Sequence, residues 1–238
     1  PNGGLCRRAV MGTTWLSYSL ADFLMFGPEV FLRLFVRINQ DIWPWQGVAV
    51  VMVIAIGTLL VRGDAMARRS ALLLVAAAWL WSGAGFLMHY YGPINLPAIW
   101  FGWAFVLQGA LLTVAGLFWP WNAATNRPIW SRWLMGIGWI ALMGLSPLLA
   151  VAQTGNGQAA ALFAVTPDVT ALGAVPCMLL FPRRVRWLFL LLPLIWSLFS
   201  VATLWTLGTW VLAVIPGTTL VLAAMACFVS PRQARNPD

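Results

Sequence analysis

The sequence is short of charge. Only 8% of its 238 residues are Asp, Glu, Lys or Arg, against roughly 25% in an ordinary soluble domain. Lysine is absent, acidic residues number six, and there is one histidine, His89. A soluble domain, a disordered chain and an amphipathic coiled coil all need more polar surface than this, so the scarcity excludes them. Three cysteines, Cys6, Cys177 and Cys227, are too few for a disulfide scaffold. They form no C-x-x-C and no cysteine–histidine spacing suited to zinc or an iron–sulfur cluster, so no metal site is expected. Paired carboxylates, a Gly-rich phosphate loop, a G-x-S-x-G elbow and a catalytic triad are also missing, and the expectation leans away from an enzyme. Arg7 and Arg8 are not followed by the compact apolar stretch and small-residue cleavage site of a signal peptide. The first methionine is Met11, which leaves a native start there or a trimmed chain as the two readings.

Apolar residues make up 61% of the chain. They fall into seven runs, at 46–62, 71–90, 97–117, 133–152, 160–181, 187–206 and 209–229. Each is near the roughly 20 residues a helix needs to cross the hydrocarbon core. The expected fold class is all-α, a polytopic transmembrane bundle of about seven spans. Residues 1–45 form an outer tail and interfacial helix, 46–229 the membrane domain, and 230–238 a short tail. The net charge of +8 comes from 14 arginines. Arg62, Arg68, Arg69, Arg127, Arg132, Arg183, Arg184, Arg186, Arg232 and Arg235 all follow odd-numbered runs, and the other gaps hold none. The charge therefore reads as orientation rather than nucleic-acid binding, with the N-terminus outside and the C-terminus in the cytoplasm. Trp43, Trp45, Trp100 and Trp103 near one surface, and Trp119, Trp121, Trp130, Trp133 and Trp187 near the other, are placed as aromatic belts.

Gly27-Pro28 opens a different kind of segment. Glu29, Arg33 and Arg37 recur every fourth residue and form one charged stripe, while Phe31, Leu34, Phe35 and Ile38 share the other face. This spacing predicts an amphipathic helix over 28–40, lying in the outer interface or capping the bundle. A weaker pattern is an offset of 115 residues that matches Arg68-Arg69 to Arg183-Arg184 and Trp81-Ser82 to Trp196-Ser197. It suggests two three-helix repeats around a linking fourth run, as in some transporters.

Ionisable residues inside spans cost roughly 2.5–3.5 kcal/mol at mid-helix, so each is a functional candidate. Asp168 is one. Thr166-Pro167-Asp168 also reads as a helix start, with Thr166 as N-cap and Asp168 facing the helix dipole, so that the fifth run begins near 166. His89, at the outer end of the second run beside Tyr90 and Tyr91, is the other. It could serve as an axial ligand for haem or a pigment or as a proton relay; the blander reading is an interfacial histidine held by its tyrosines and Asn95.

Several stretches resemble a bacterial multi-pass membrane family of unknown function. They are Tyr18-Ser19-Leu20-Ala21-Asp22-Phe23-Leu24-Met25-Phe26-Gly27-Pro28, then Arg33-Leu34-Phe35, Asn39 and Trp43-Pro44, then Trp81 with His89 and Ile94-Asn95-Leu96-Pro97-Ala98. Phe101-Gly102 with Gln108, Phe163-Ala164-Val165-Thr166-Pro167, Leu172-Gly173 and Pro193-Leu194-Ile195-Trp196 continue the likeness, which covers roughly residues 15–200. The resemblance implies an inner-membrane protein and brings Asp22 and Asn39 beside His89, Asn95 and Asp168 as candidate ligand- or partner-binding residues. Two functions are expected. One is a structural or accessory subunit of a larger membrane complex, with lipid and other membrane subunits as partners and no nucleic acid. The other is a small-molecule transporter or receptor with an outward cavity near His89, Asn95 and Asp168.

Overall fold

The computed structural model describes residues 26–121 and 129–228. Among these, every regular element is helical. Helix α1 spans Pro28–Asp41, α2 Gln46–Arg62 and α3 Ala65–Trp81, the last running straight into a π-helical segment, Ser82–Tyr91. Then come α4 (Leu96–Phe118), α5 (Ile129–Thr154), a 3-10 turn (Gly157–Ala159), α6 (Pro167–Met178), α7 (Arg183–Thr206) and α8 (Trp210–Phe228). Five of these elements are long and apolar enough to cross a membrane: α3 with its π segment, α4, α5, α7 and α8. Helix α2 has 17 residues and meets α1 at a 93° bend; counted as one broken span, that pair makes six.

The fifth run is the difference from seven spans. Its helix begins at Pro167, as the helix-start reading had it, and stops at Met178. Twelve residues rise about 18 Å, too little for a hydrocarbon core of about 30 Å. Helix α6 is instead the centre of the bundle, packed by α3, α5, α7, α8 and the π segment. Residues 160–166 lead into it without regular helix, and Ala164 holds a φ of 66° there. A β-carbon makes that conformation unfavourable by roughly 1–2 kcal/mol. Irregular backbone of this kind is tolerated within a membrane bundle only where protein covers it. Ala161, Phe163, Ala164 and Val165 are all buried.

Small residues set the helix seams. A β-carbon at Gly83 would lie 2.8 Å from the Phe105 Cβ and 2.9 Å from the Gly102 carbonyl oxygen, so only glycine lets the π segment touch α4 here. Between α2 and α5, one at Gly136 would lie 2.6 Å from the Gly57 carbonyl oxygen. Helix α1 buries Phe31, Leu34, Phe35, Ile38 and Asn39 and exposes Glu29, Arg33 and Arg37, so the amphipathic face lies as its spacing implies. That face rests on the π segment and the 3-10 turn, which makes α1 a cap on the bundle.

The two ends of the bundle differ in chemistry. At one, arginines close helix ends. Arg132 Nη1 donates to the Arg62 carbonyl ending α2 (2.6 Å), and Arg69 Nη2 to Leu117 near the end of α4 (2.8 Å). Arg183 Nε donates to Cys227 near the end of α8 (3.0 Å). Arg186, 2% exposed, donates to Ala226 of α8 (2.7 Å) and to Phe181 just beyond α6 (3.1 Å). The last carbonyls of a helix have no partner of their own and carry partial negative charge, so a guanidinium from an antiparallel neighbour satisfies both needs. Asp64 caps α3 at the same end, accepting from the Ala67 N–H at 2.8 Å, which holds its carboxyl below the usual carboxylate range, with Arg62 beside it adding to the effect. The 115-residue offset does not carry through. Trp81 is 52% exposed whereas Trp196 is 3% exposed, and α2 and α6 differ in length by five residues (17 against 12).

Candidate functional site

The opposite end is roofed by α1 and contains Asp168. Pro167 starts α6, and Asp168 sits in its first turn, where the helix dipole favours a negative charge. Trp196 Nε1 of α7 donates to Asp168 Oδ1 at 2.8 Å, and Ser200, one turn further along α7, lies beside the carboxylate. Around it lies a cavity of about 10 Å³, room for about one water. Phe31 and Phe35 of α1, Phe86 and Tyr91 of the π segment, and Trp196 and Phe199 of α7 line it, with Thr203 and Ser200 as its hydroxyls. Among the described residues no arginine and no histidine lines the chamber.

The π segment decides which side chains face in. In an α-helix, residues three or four apart share a face, so Phe86 would align with His89 and Tyr90. A π-helix closes its hydrogen bonds over five residues, as in Gly92 N–H to Leu87 O at 2.8 Å. Phe86 and Tyr91, five apart, therefore both turn inward; they are each 2% exposed. His89 is turned outward. It is exposed, meets Tyr90 edge-on at 4.9 Å between ring centroids, and reaches neither Asn95 nor Asp168 by any hydrogen bond. Asn95 is half-buried and lies beside the Tyr91 hydroxyl, short of hydrogen-bond geometry. It borders the chamber indirectly, through Tyr91. Asp22 falls outside the described residues.

Asn39 belongs to a second feature at this end. Its Nδ2 donates to Phe35 O (2.8 Å) and across to Ala160 O (2.9 Å), and the Gln46 amide donates to the Asn39 carbonyl. Gln40 Nε2 donates to Gln158 Oε1 at 2.8 Å. These amides and Trp43 border a groove of about 650 Å³ between α1, α2 and the 3-10 turn. Next to it, Tyr90 donates to Asp41 (2.9 Å), with Arg37 3.8 Å from the same carboxylate. The C-terminal half of α1 is thus tied down by polar bonds. Its N-terminal half is held by ring contacts, Phe31 to Tyr91 at 5.6 Å and Phe35 to Phe86 at 5.7 Å.

The sequence pointed to Asp168 and missed its partners. Trp196, Ser200 and Thr203 fall at i, i+4 and i+7 of α7, a polar inward stripe in the half of the helix away from its arginines, and that was the available signal. Among the described residues no group of three His, Cys, Asp or Glu side chains converges as a metal site would require. The comparisons add a family. No curated protein and no solved structure matches the chain. The family model of DUF6064, a family of unknown function, matches residues 28–234, so the N-terminal stretch up to Gly27 that shared in the resemblance lies outside the match and the two final helices lie within it. The match spans nearly the whole chain, from the start of α1 to beyond α8, and the protein belongs to that family of unknown function.

Proposed function

We propose that the protein is a small-molecule transporter or receptor of a bacterial inner membrane, with its ligand site at Asp168 beneath α1. One observation carries this reading: a half-buried carboxylate inside the bundle at the start of a broken, half-length helix, without a cationic side chain among the described residues lining its chamber. A buried charge is costly, and a half-helix aimed at a cavity is how many transporters hold a solute. The gathering of arginines at the other end supports a periplasmic position for α1 and the chamber. The 650 Å³ groove beside Asn39 is then the outer approach, and α1 is the element that must move.

A second reading, a structural or accessory subunit of a larger inner-membrane complex, is favoured by the tightness of the chamber. As it stands, it has room for about one water. Thiol labelling separates the two. In a Cys6→Ser background, Ser200→Cys places a thiol in the chamber, and intact cells are exposed to a small membrane-impermeant thiol reagent. A site that opens is modified over minutes, and faster when Phe31→Ala loosens the roof. If the Ser200→Cys protein stays unreactive while Gln40→Cys, at an exposed position, is labelled, the subunit reading stands.

A further inference from the structure

We propose that the chamber takes a small organic ammonium ion, of the methylated-amine type, held by Asp168 and the aromatic rings around it. This rests on the reading of the chamber as a ligand site. The argument starts from charge. The Asp168 carboxylate receives the Trp196 N–H and sits at the start of α6, two features that stabilise negative charge. A half-buried anion with no cationic side chain among the described residues lining its chamber calls for a positive partner. Among the described residues lining the chamber, no basic side chain would offset the repulsion between an anionic solute and Asp168.

The walls choose among cations. A bare inorganic cation needs a shell of oxygens, typically six or more for calcium or magnesium. The chamber supplies few, those of Asp168, Tyr91, Ser200 and Thr203, and the Thr203 hydroxyl is already engaged with Phe199 O at 2.9 Å. It supplies six rings instead. Ring faces attract an ammonium through their quadrupoles, by roughly 2 kcal/mol or more when desolvated, and they also accept its methyl groups. The Tyr91 hydroxyl is a further polar group at the chamber wall, with the Asn95 amide beside it. Tyr91 is 2% exposed, lines the chamber, and its hydroxyl has no hydrogen-bond partner. Entry needs Phe31 and Phe35 to swing away with the N-terminal half of α1, the half that polar bonds do not fasten.

The test is thermal unfolding of the purified full chain in detergent, with tetramethylammonium chloride or choline chloride against sodium chloride at equal concentration. The expected result is a midpoint about 3 °C higher with either ammonium at roughly ten times its dissociation constant, and no such rise with sodium. Asp168→Asn should abolish the shift measured from that variant's own baseline. Phe86→Leu, which removes one ring and keeps an apolar filler, should reduce it at least threefold and serves if the Asn variant does not fold. A rise that sodium matches, or one that both variants retain, overturns the proposal. No rise with any cation, while Ser200→Cys is still labelled, overturns the ammonium class and leaves the ligand chamber standing. No rise and no labelling overturn both.

Discussion

The two ends of the bundle each draw an ionisable side chain inward, Arg186 fully buried and Asp168 half-buried, and they treat it in opposite ways. Arg186 is 2% exposed and gives its charge to the carbonyls of Ala226 and Phe181. Those acceptors belong to the protein and are the unpaired ends of helices. Asp168 is held by a tryptophan and a helix start, with a serine beside it, and then faces a ring-lined space. At the arginine end the charge completes the fold. At the α1 end the fold prepares a charge and leaves one side of it to something else. The difference teaches that a buried ion is read by its surroundings and not by its presence.

Substitutions can break or sharpen that contrast. The largest effect is expected at Arg186. Arg186→Met removes charge-assisted hydrogen bonds that link α7 to α8 and to the end of α6, and should cost about 3 kcal/mol, read by thermal unfolding in detergent. Arg186→Lys should recover only part, because a point charge cannot reach two carbonyls as a fork does. Asp168→Asn should change stability by only about 1 kcal/mol, since the amide oxygen still accepts from Trp196. A loss at Asp168 as large as at Arg186 would make the carboxylate a structural tie and end the contrast.

A similar shift of opposite sign is expected upstream of the site. Ala164→Gly should stabilise the protein by about 1 kcal/mol, because glycine adopts the 66° φ without strain. His89→Ala should alter the unfolding free energy by less than about 0.5 kcal/mol, as the side chain is exposed at the bundle's edge. An absorption spectrum of the purified protein checks the axial-ligand reading directly: a visible band that disappears in His89→Ala would restore it. The smallest effect belongs to Asp64. Its carboxyl is held below its ordinary range by the Ala67 N–H, so its contribution is present above the unfolded-state value and is lost as pH falls through the folded one. Asp64→Ala should flatten that acid limb of a stability profile while leaving the neutral region little changed in shape.

Much of the architecture was legible before any coordinates. The run 46–62 is α2 to the residue, and the charged stripe of Glu29, Arg33 and Arg37 marked α1 and its outward face. Both readings rest on local pattern, which a helix translates directly into a face. The site was only half legible. Asp168 stood out because a charge in an apolar run is costly wherever it lies. Its partners did not, because a tryptophan and two hydroxyls in a membrane helix are ordinary until another helix is known to lie against them. His89 stands exposed beside Tyr90 at the outer end of its run; what local pattern did not show is the π segment, which turns Tyr91 inward and His89 out.

The sequence by itself determined that this chain is a helical bundle with helices apolar enough for a membrane, where most of those helices begin and end, and which ends carry arginine. Composition and periodicity decide these things because burial of apolar surface acts on each segment separately. The tertiary structure alone decided that α6 is a buried half-helix, that arginines close the ends of their neighbours, and that Asp168 meets Trp196 under a roof of phenylalanines. Each depends on contacts between residues far apart in the chain, about which local pattern carries no information.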